Sequence, residues 1–215
     1  MLESLLIPET VAVLGASRNP GKVGHAFVAN LIKSSFKGTI VPVNPEAKEV
    51  LGLKCYKSLE EFGGKIDLSI IVVPPRFVKD AIQSSANAGA KQVIVITAGF
   101  KEVGAEGAKA EEEIAQLCRS LGMRLMGPNC LGVLNTHHKM NATFAPALPP
   151  PGGISLISQS GALCVAILDW ASAQKLGMSK VFSIGNKADL NEADFLQALA
   201  EDKQTAVVAC YLESI

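Results

Sequence analysis

The fold is decided by the stretch Val11-Ala-Val-Leu-Gly-Ala-Ser-Arg-Asn-Pro-Gly-Lys-Val-Gly24, in which a short apolar run leads into a glycine-rich turn. The run is typical of a buried β-strand, and a helical pattern begins at Val23. Glycine lets the backbone approach a phosphate closely, and the free N–H groups at a helix start are hydrogen-bond donors. The stretch therefore predicts a strand–loop–helix unit, which is either a phosphate-binding loop or only a tight structural turn.

Similar units follow this one along the chain. Further β-branched runs predict strands at 39–43, 68–73, 92–97 and 124–127, and helical patterns lie at 23–34, 77–88 and 105–121. Nearly continuous apolar strands that alternate with helices indicate a parallel sheet covered on both faces. We therefore predict an α/β protein whose first domain, residues 1–135, is a doubly wound parallel sheet.

The alternation breaks after residue 135. Residues 136–152 contain four prolines, at 146, 149, 150 and 151, and this composition predicts a linker. Strand patterns then return at 154–158, 180–184 and 205–212, with helical patterns at 162–174 and 192–201 between them. A second unit of this size, 153–215, has a small core. We expect it to be the truncated first part of a domain that leans on the first domain or on a partner.

Composition excludes several classes of function. Twenty basic residues balance twenty acidic ones, so the chain lacks the basic surplus of a nucleic-acid-binding protein. The five cysteines are scattered without a C-x-x-C pair, which predicts no metal site and a reduced compartment. No apolar run approaches the ~20 residues of a membrane helix, and the N-terminus is acidic where a signal peptide is basic. We expect a soluble, cytoplasmic protein that binds neither nucleic acid nor membrane.

The spacing of the glycine loop departs from the two common phosphate fingerprints. Gly15, Gly21 and Gly24 are spaced G-x5-G-x2-G, whereas dinucleotide-binding folds show G-x-G-x-x-G and P-loops show G-x4-G-K-[ST]. Val23 also stands where a P-loop needs a hydroxyl for Mg²⁺. A P-loop is therefore disfavoured, and spacing alone leaves a structural turn open.

The segment after the second strand bears on which phosphate ligand fits. NAD-binding folds have an acidic residue there for the ribose, whereas this chain has Val43-Asn-Pro-Glu-Ala-Lys48. Arg18, Lys22 and Lys48 would suit a ligand with more phosphate than NAD. Coenzyme A, which carries a 3′-phosphate besides its diphosphate, is such a ligand.

Three more strand ends add candidates. These are Val73-Pro-Pro75, Thr97-Ala-Gly-Phe100 and Gly127-Pro-Asn-Cys130. Proline and glycine can simply end a strand, but ligands of open α/β sheets lie outside the carboxyl ends of the strands. Three such endings beside a glycine loop favour a ligand groove.

These segments, in this order, resemble the family of succinyl-CoA synthetase α subunits and ADP-forming acetyl-CoA synthetases, which are NDP-forming acyl-CoA synthetases. The resemblance spans essentially the whole chain and implies a Rossmann-like CoA-binding domain followed by part of a flavodoxin-like ligase domain. It implies that coenzyme A is bound by Gly15, Ser17, Arg18, Asn19, Pro20, Lys22, Val23, Gly24, Asn44, Pro45, Lys48, Val73, Pro74, Pro75, Thr97, Ala98, Gly99, Phe100, Asn129 and Cys130.

The resemblance continues into the second unit. Ser158-Gln-Ser-Gly-Ala-Leu163 is similar to the start of a helix that faces a phosphorylated histidine in this family, which implies that Ser158 and Ser160 form part of a phosphoryl site. From the residues alone, serine capping of the helix is the better interpretation. The segments 185–189 and 211–214 match as well, and Glu213 falls where the family has a glutamate that orients the active histidine.

That histidine lies beyond residue 215 in family members. We do not expect a histidine of this chain to replace it: His25 suits a surface, capping or ligand-contact role at the first helix, and His137 and His138 lie in the predicted linker. The chain alone is therefore expected to be inactive.

The resemblance implies a ligase that interconverts acid, CoA and nucleoside triphosphate with acyl-CoA, nucleoside diphosphate and phosphate, through acyl phosphate and phosphohistidine. ATP/ADP or GTP/GDP and Mg²⁺ would enter only through an ATP-grasp domain or a β subunit, in an oligomeric parent enzyme. Two alternatives stay open. One is an autonomous CoA-binding or regulatory module, and the other is an NAD-binding redox or sensor protein, which the second strand end disfavours.

Overall fold

The structure is a computed structural model, and it describes residues 2–214. Its first unit contains a five-stranded parallel sheet in the order β2-β1-β5-β6-β7 and a small β3-β4 hairpin. The elements are α1 (Glu3–Leu6), β1 (Thr10–Leu14), α2 (Val23–Lys33), β2 (Thr39–Val43), β3 (Glu49–Val50), β4 (Leu53–Lys54), α3 (Leu59–Phe62), β5 (Leu68–Ile71), α4 (Val78–Asn87), β6 (Gln92–Val95), α5 (Ala105–Ser120) and β7 (Arg124–Met126). The predicted doubly wound parallel sheet is confirmed.

The order of these strands positions the site. The chain moves from β1 outward to β2 and then returns to the other side of β1 with β5. In register, Val13 of β1 lies opposite Pro42 on one side and Ile70 on the other. The connections that leave β1 and β5 therefore run to opposite sides, and this switch point opens a crevice at the carboxyl ends of the two strands.

The second unit contains a mixed five-stranded sheet in the order β12-β10-β11-β8-β9. Its elements are β8 (Gly132–Asn135), β9 (Met140–Thr143), β10 (Pro151–Ser158), α6 (Gly161–Ala173), β11 (Met178–Ser183), α7 (Glu192–Ala200) and β12 (Val207–Tyr211). The strands β10, β11 and β12 are parallel, while β8 pairs antiparallel with both β11 and β9. The predicted second α/β unit is thus present, with an antiparallel hairpin at one edge.

The hairpin is where the structure differs from the predicted linker. Residues 136–152 include β9, and β8 immediately before them also belongs to the second sheet. The hairpin is held by α2, since the Asn30 side-chain amide donates to the Thr143 and Ala145 carbonyls, each at 2.8 Å. The Asn141 N–H also donates to the Ser34 hydroxyl. Three of the four prolines lie in the connection from β9 to β10, and Pro151 is the first residue of β10.

The two sheets share one hydrophobic core. It joins Val13 and Phe27 of the first unit to Phe182 and Phe195 of the second, all of them fully buried. At its edge Arg124 pairs with Asp189 at 2.9 Å, and burial, which lowers the pKa of the guanidinium, is outweighed by the neighbouring carboxylates, which raise it. The second unit therefore packs against the first, which is one of the two possibilities expected from its small size.

The longest helix, α5, has 16 residues. Within residues 2–214, no helix combines the length and the apolar character that crossing a membrane requires.

Candidate functional site

A cleft of about 1320 Å³ runs along the carboxyl ends of β1, β2, β5 and β6 and continues onto the second unit. Its position is the switch point of the first sheet, where ligands of open α/β folds bind. Its volume exceeds the ~300–1,000 Å³ of ordinary small-molecule pockets. The cleft therefore has room for a long ligand that reaches from one unit to the other.

The glycine-rich loop forms one wall of this cleft. The loop holds itself by short-range bonds, because the Ser17 hydroxyl accepts from the Asn19 N–H at 3.1 Å and the Asn19 side chain accepts from the Gly21 N–H at 2.9 Å. No side chain caps the start of α2, where Lys22 is the N-cap residue. Lys22 and Val23 line the cleft, so a cation and an uncapped helix start face it together.

Two glycines bring this helix start against the end of β1. Gly15 has a φ of +93°, and a Cβ there would lie 2.9 Å from the Val72 carbonyl oxygen. A Cβ on Gly24 would lie 2.0 Å from the Gly15 carbonyl oxygen. Both contacts are with backbone, which cannot rotate away, so the close approach of loop, helix and sheet requires glycine at both positions.

The opposite rim is fixed by hydrogen bonds between successive loops. The Thr97 hydroxyl donates to the Val73 carbonyl at 2.6 Å, and the Asn129 N–H donates to the Thr97 carbonyl at 3.1 Å. The Asn129 amide then reaches Asn186 of the second unit at 3.3 Å. The rim is thus continuous across both units.

Asn186 extends this network to two carboxylates. Its amide nitrogen donates to Glu102 and to Glu111, each at 2.7 Å. Burial acts to raise the pKa of Glu102, but bonds from Asn186 and from the Gly99 N–H outweigh it and hold that pKa below its usual value. An ionised Glu102 therefore anchors the loop after β6 to the loop after β11.

The residues predicted to contact coenzyme A fall into two groups. The cleft wall contains Gly15, Ser17, Lys22, Val23, Gly24, Asn44, Pro45, Val73, Pro74, Thr97, Ala98, Asn129 and Cys130. Off the wall lie Arg18, Asn19, Pro20, Lys48, Pro75, Gly99 and Phe100. Arg18 and Lys48 are exposed, Phe100 is buried, and Asn19 shapes the loop rather than lining the cleft. The structure therefore brings together residues from all five predicted segments.

The two serines predicted for a phosphoryl site are engaged in local bonds. The buried Ser158 hydroxyl donates to the Ser160 carbonyl at 2.9 Å and accepts from its N–H at 3.2 Å. The Ser160 hydroxyl caps α6 by accepting from the Leu163 N–H at 3.2 Å. Neither side chain lines the cleft, whereas Gly161 and Ala162 do. Both serines build the start of α6, and their role toward a phosphoryl group stays a prediction.

Gln159, between these serines, links the cleft to Glu213. Gln159 lines the cleft, and its side-chain Oε1 accepts from the backbone N–H groups of Glu213 and Ser214. Glu213 itself is exposed. The sequence did not predict a role for Gln159, although it lies between Ser158 and Ser160.

Other residues of the cleft wall were also missed. Lys57, Ser58, Asp80 and Ser84 are polar, and Phe144 is aromatic. Asp80 and Ser84 are four residues apart on α4, a spacing that places them on one helix face and was the available signal. For Phe144 the sequence offered no such signal, because the segment around it was predicted to be a linker.

Neither the three histidines nor Cys130, the one cysteine predicted to contact coenzyme A, is placed as a reactive group of the cleft. The ring nitrogens of His25, His137 and His138 lie 2.9 to 3.0 Å from the carbonyl oxygens of Ser17, Gly152 and Pro8, and none of the three rings lines the cleft. Burial raises the pKa of the Cys130 thiol to about 12. Cys130 therefore stays a thiol at neutral pH, with its Sγ 3.4 Å from the Val95 carbonyl oxygen.

Two family models match the chain. Residues 9–136 match the model described as "CoA binding domain", and residues 151–215 match that described as "Succinyl-CoA ligase like flavodoxin domain". Residues 137–150, which include β9, lie between the two matches.

Individual proteins agree with these matches. The chain is 45% identical over its whole length to acetate–CoA ligase [ADP-forming] I of Archaeoglobus fulgidus and covers 31% of that protein. It is 43% identical to acetate–CoA ligase [ADP-forming] I subunit alpha of Pyrococcus furiosus and covers 47% of it. A solved acetyl-coenzyme A synthetase 1 of Ca. Korarchaeum cryptofilum, in complex with phosphate and ADP, superposes with a TM-score of 0.96 at 42% identity, covering 100% of this chain and 46% of that one. The chain thus spans a third to a half of these relatives.

Proposed function

The chain belongs to the family of NDP-forming acyl-CoA synthetases, and from this premise we propose that it forms the coenzyme A site of an acid–CoA ligase. The ligase would interconvert acid, CoA and nucleoside triphosphate with acyl-CoA, nucleoside diphosphate and phosphate. The observation that carries the proposal is the single cleft that begins at the glycine loop and ends at the start of α6.

The chemistry of the cleft suits the parts of coenzyme A. The uncapped start of α2 and Lys22 offer donors and positive charge for the diphosphate. Lys57 and Ser58 on the wall beyond β2 suit the 3′-phosphate end. The apolar rim at Val73 suits the pantetheine arm, which would then point the thiol toward the second unit.

The second unit would present part of the phosphoryl site. The backbone N–H groups and the dipole at the start of α6 stabilise negative charge, and Ser160 keeps this turn in place by its cap. Gln159 fixes the backbone at Glu213, the residue expected to orient the active histidine. In this proposal the histidine, the ATP or GTP and its Mg²⁺ come from sequence outside these 215 residues, in an ATP-grasp domain or β subunit of an oligomer.

An NAD-binding function is disfavoured by the end of β2. The Asn44 side-chain amide donates a hydrogen bond to the Ala16 carbonyl at 2.7 Å. The acid of this segment, Glu46, is exposed and lies off the cleft wall. No carboxylate of this strand end is therefore placed to hold the ribose of NAD.

Calorimetry with CoA and NAD tests the proposal. We expect the chain to bind CoA and to show no NAD signal. Lys57→Ala should weaken CoA binding by about tenfold through loss of a charge-assisted hydrogen bond. The matched control is Lys65→Ala, because Lys65 is exposed and off the wall. Tight NAD binding without a CoA signal would refute the proposal.

A further inference from the structure

The segment after β12 carries Glu213 and Ser214, and two side chains from other parts of the second unit hold it. Gln159 accepts from both backbone N–H groups through its Oε1, and its Nε2 donates to the Ser214 hydroxyl at 3.3 Å. The Nζ of Lys187 donates to the Ser214 carbonyl at 2.8 Å. Both residues of the segment are exposed, so these bonds, rather than burial, fix its position.

The ammonium group of Lys187 has a second partner, which holds it in place. It lies 3.0 Å from Oε2 of Glu192, the first residue of α7, and the Lys187 side chain is only 13% exposed. Bonds from its own backbone N–H and from Lys187 hold the pKa of Glu192 below its usual value, so this carboxylate is ionised at neutral pH. The ion pair therefore keeps the long lysine side chain directed toward the Ser214 carbonyl.

The backbone on either side of Lys187 is bonded to the loop after β7. The Asn186 N–H donates to the Pro128 carbonyl and the Ala188 N–H donates to the Gly127 carbonyl, each at 3.0 Å. Between these two bonded residues, Lys187 has a φ of +58°, a left-handed conformation that is uncommon outside glycine. Lys187 therefore follows any movement of the loop after β7.

Both supports of the segment reach the cleft. Gln159 lines it directly. Lys187 reaches it through the loop after β7, because Asn129 of that loop lines the cleft and its side-chain amide donates to Asn186 at 3.3 Å. The Asn129 N–H also donates to the carbonyl of Thr97, another residue of the cleft wall, at 3.1 Å. A ligand that contacts these walls thus restrains both supports at once.

We propose that Lys187 is a positioning residue that couples the CoA cleft to Glu213, so that bound CoA restrains the segment that carries this carboxylate. The inference rests on the proposed function, which places CoA along the cleft from the glycine loop to the start of α6. Restraining the two supports lowers the entropy that the segment loses when it becomes ordered. Such coupling is reciprocal, so an ordered segment strengthens CoA binding by the same factor.

Amide hydrogen exchange at Glu213 and Ser214, followed by NMR on the 215-residue chain with and without saturating CoA, tests the inference. Because both N–H groups donate to Gln159, their exchange reports the opening of the segment. In wild type, CoA should slow both rates about fivefold. Lys187→Met keeps the side-chain stem but removes the ammonium, so CoA should slow the same rates by about twofold or less. Lys187→Arg keeps a cationic donor and should retain most of the wild-type slowing.

Lys175→Met is the matched control. Lys175 also has a left-handed backbone, with a φ of +54°, but its side chain is exposed, so CoA should slow exchange in this variant as it does in wild type. Exchange rates that CoA leaves unchanged, in a wild-type chain that binds CoA by calorimetry, would overturn the coupling. Equal slowing in wild type and Lys187→Met would overturn the role of Lys187. A chain that does not bind CoA would instead refute the proposed function.

Discussion

At the scale of single residues, Gly24 fixes the position of the glycine-rich loop and the start of α2 at the cleft. Its missing side chain lets α2 start against the end of β1, where a Cβ would lie 2.0 Å from the Gly15 carbonyl oxygen. The same contact brings the uncapped helix start to the cleft. One hydrogen atom in place of a methyl group therefore serves the packing of α2 on β1 and, in the proposed function, the binding of the diphosphate.

Gly24→Ala should lower both stability and CoA affinity. The added methyl group has to displace backbone, which costs about 1–3 kcal/mol of unfolding free energy, and it shifts the helix start away from the diphosphate. Urea unfolding and calorimetry measure the two effects. Gly21→Ala is the control, since a Cβ there would meet the Asn19 side chain only at 3.4 Å. Wild-type stability and CoA binding in Gly24→Ala would contradict this explanation.

The serines before α6 show how local bonds limit the role of a residue. The Ser160 hydroxyl already accepts from the Leu163 N–H, and the Ser158 hydroxyl is bonded to the backbone of Ser160. The Ser160 hydroxyl is the acceptor of its capping bond, so its O–H can still donate to a phosphoryl group beside the backbone N–H groups of the turn. Capping, the interpretation that the residues alone favour, therefore agrees with the structure.

At the scale of elements, a buried ion pair joins β11 to the connection before β12. Lys180 is buried, and its Nζ lies 2.6 Å from Asp202 Oδ2 and 3.2 Å from the Gln204 side-chain oxygen. Burial acts to raise the pKa of Asp202, but bonds from Lys180 and Thr205 outweigh it, so the pKa lies below its usual value. The pair fixes the approach to the edge strand of the second sheet.

Asp202→Asn should destabilise the protein by about 3 kcal/mol at pH 7, because it leaves a buried ammonium unpaired. Since the native pKa of Asp202 is lowered, its stabilisation is present above the unfolded value of ~3.9 and is lost as the pH falls through the native pKa. Urea unfolding at pH 7 should therefore give a much lower free energy of unfolding for the variant than for wild type. At pH 3 this difference in unfolding free energy should be smaller.

The exposed neighbour Glu201 supplies the control for this experiment. Glu201→Gln should stay within about 0.5 kcal/mol of wild type at both pH values. The ion pair would not stabilise the fold if wild type and Asp202→Asn had the same free energy of unfolding at pH 7, or if the difference between them increased at pH 3.

Sequence patterns predicted the regular elements better than the irregular ones. The apolar runs of β1, β5 and β6 are buried on both faces of a parallel sheet, so their composition alone identifies them. The hairpin β8–β9 was missed because its stability comes from distant partners, above all Asn30 of α2. Lys57 and Phe144 were missed for the same reason, as they reach the cleft only through tertiary packing.

At the scale of the whole molecule, the site depends on how the two units pack together. Three sets of contacts join them: the shared core around Phe182 and Phe195, the Arg124–Asp189 pair and the Asn186 network. The cleft takes walls from both units, so a ligand that spans it contacts the phosphate loop and the start of α6 at once. In the proposed function, this packing would bring the CoA thiol to the phosphoryl site.

The most direct test of this account is a crystal structure of the chain with coenzyme A. We predict the diphosphate within hydrogen-bond distance of the backbone at Val23 and Gly24, and the sulfur beside Leu131, Phe144 and Val165. A diphosphate bound elsewhere, or a thiol that points away from the second unit, would contradict the account.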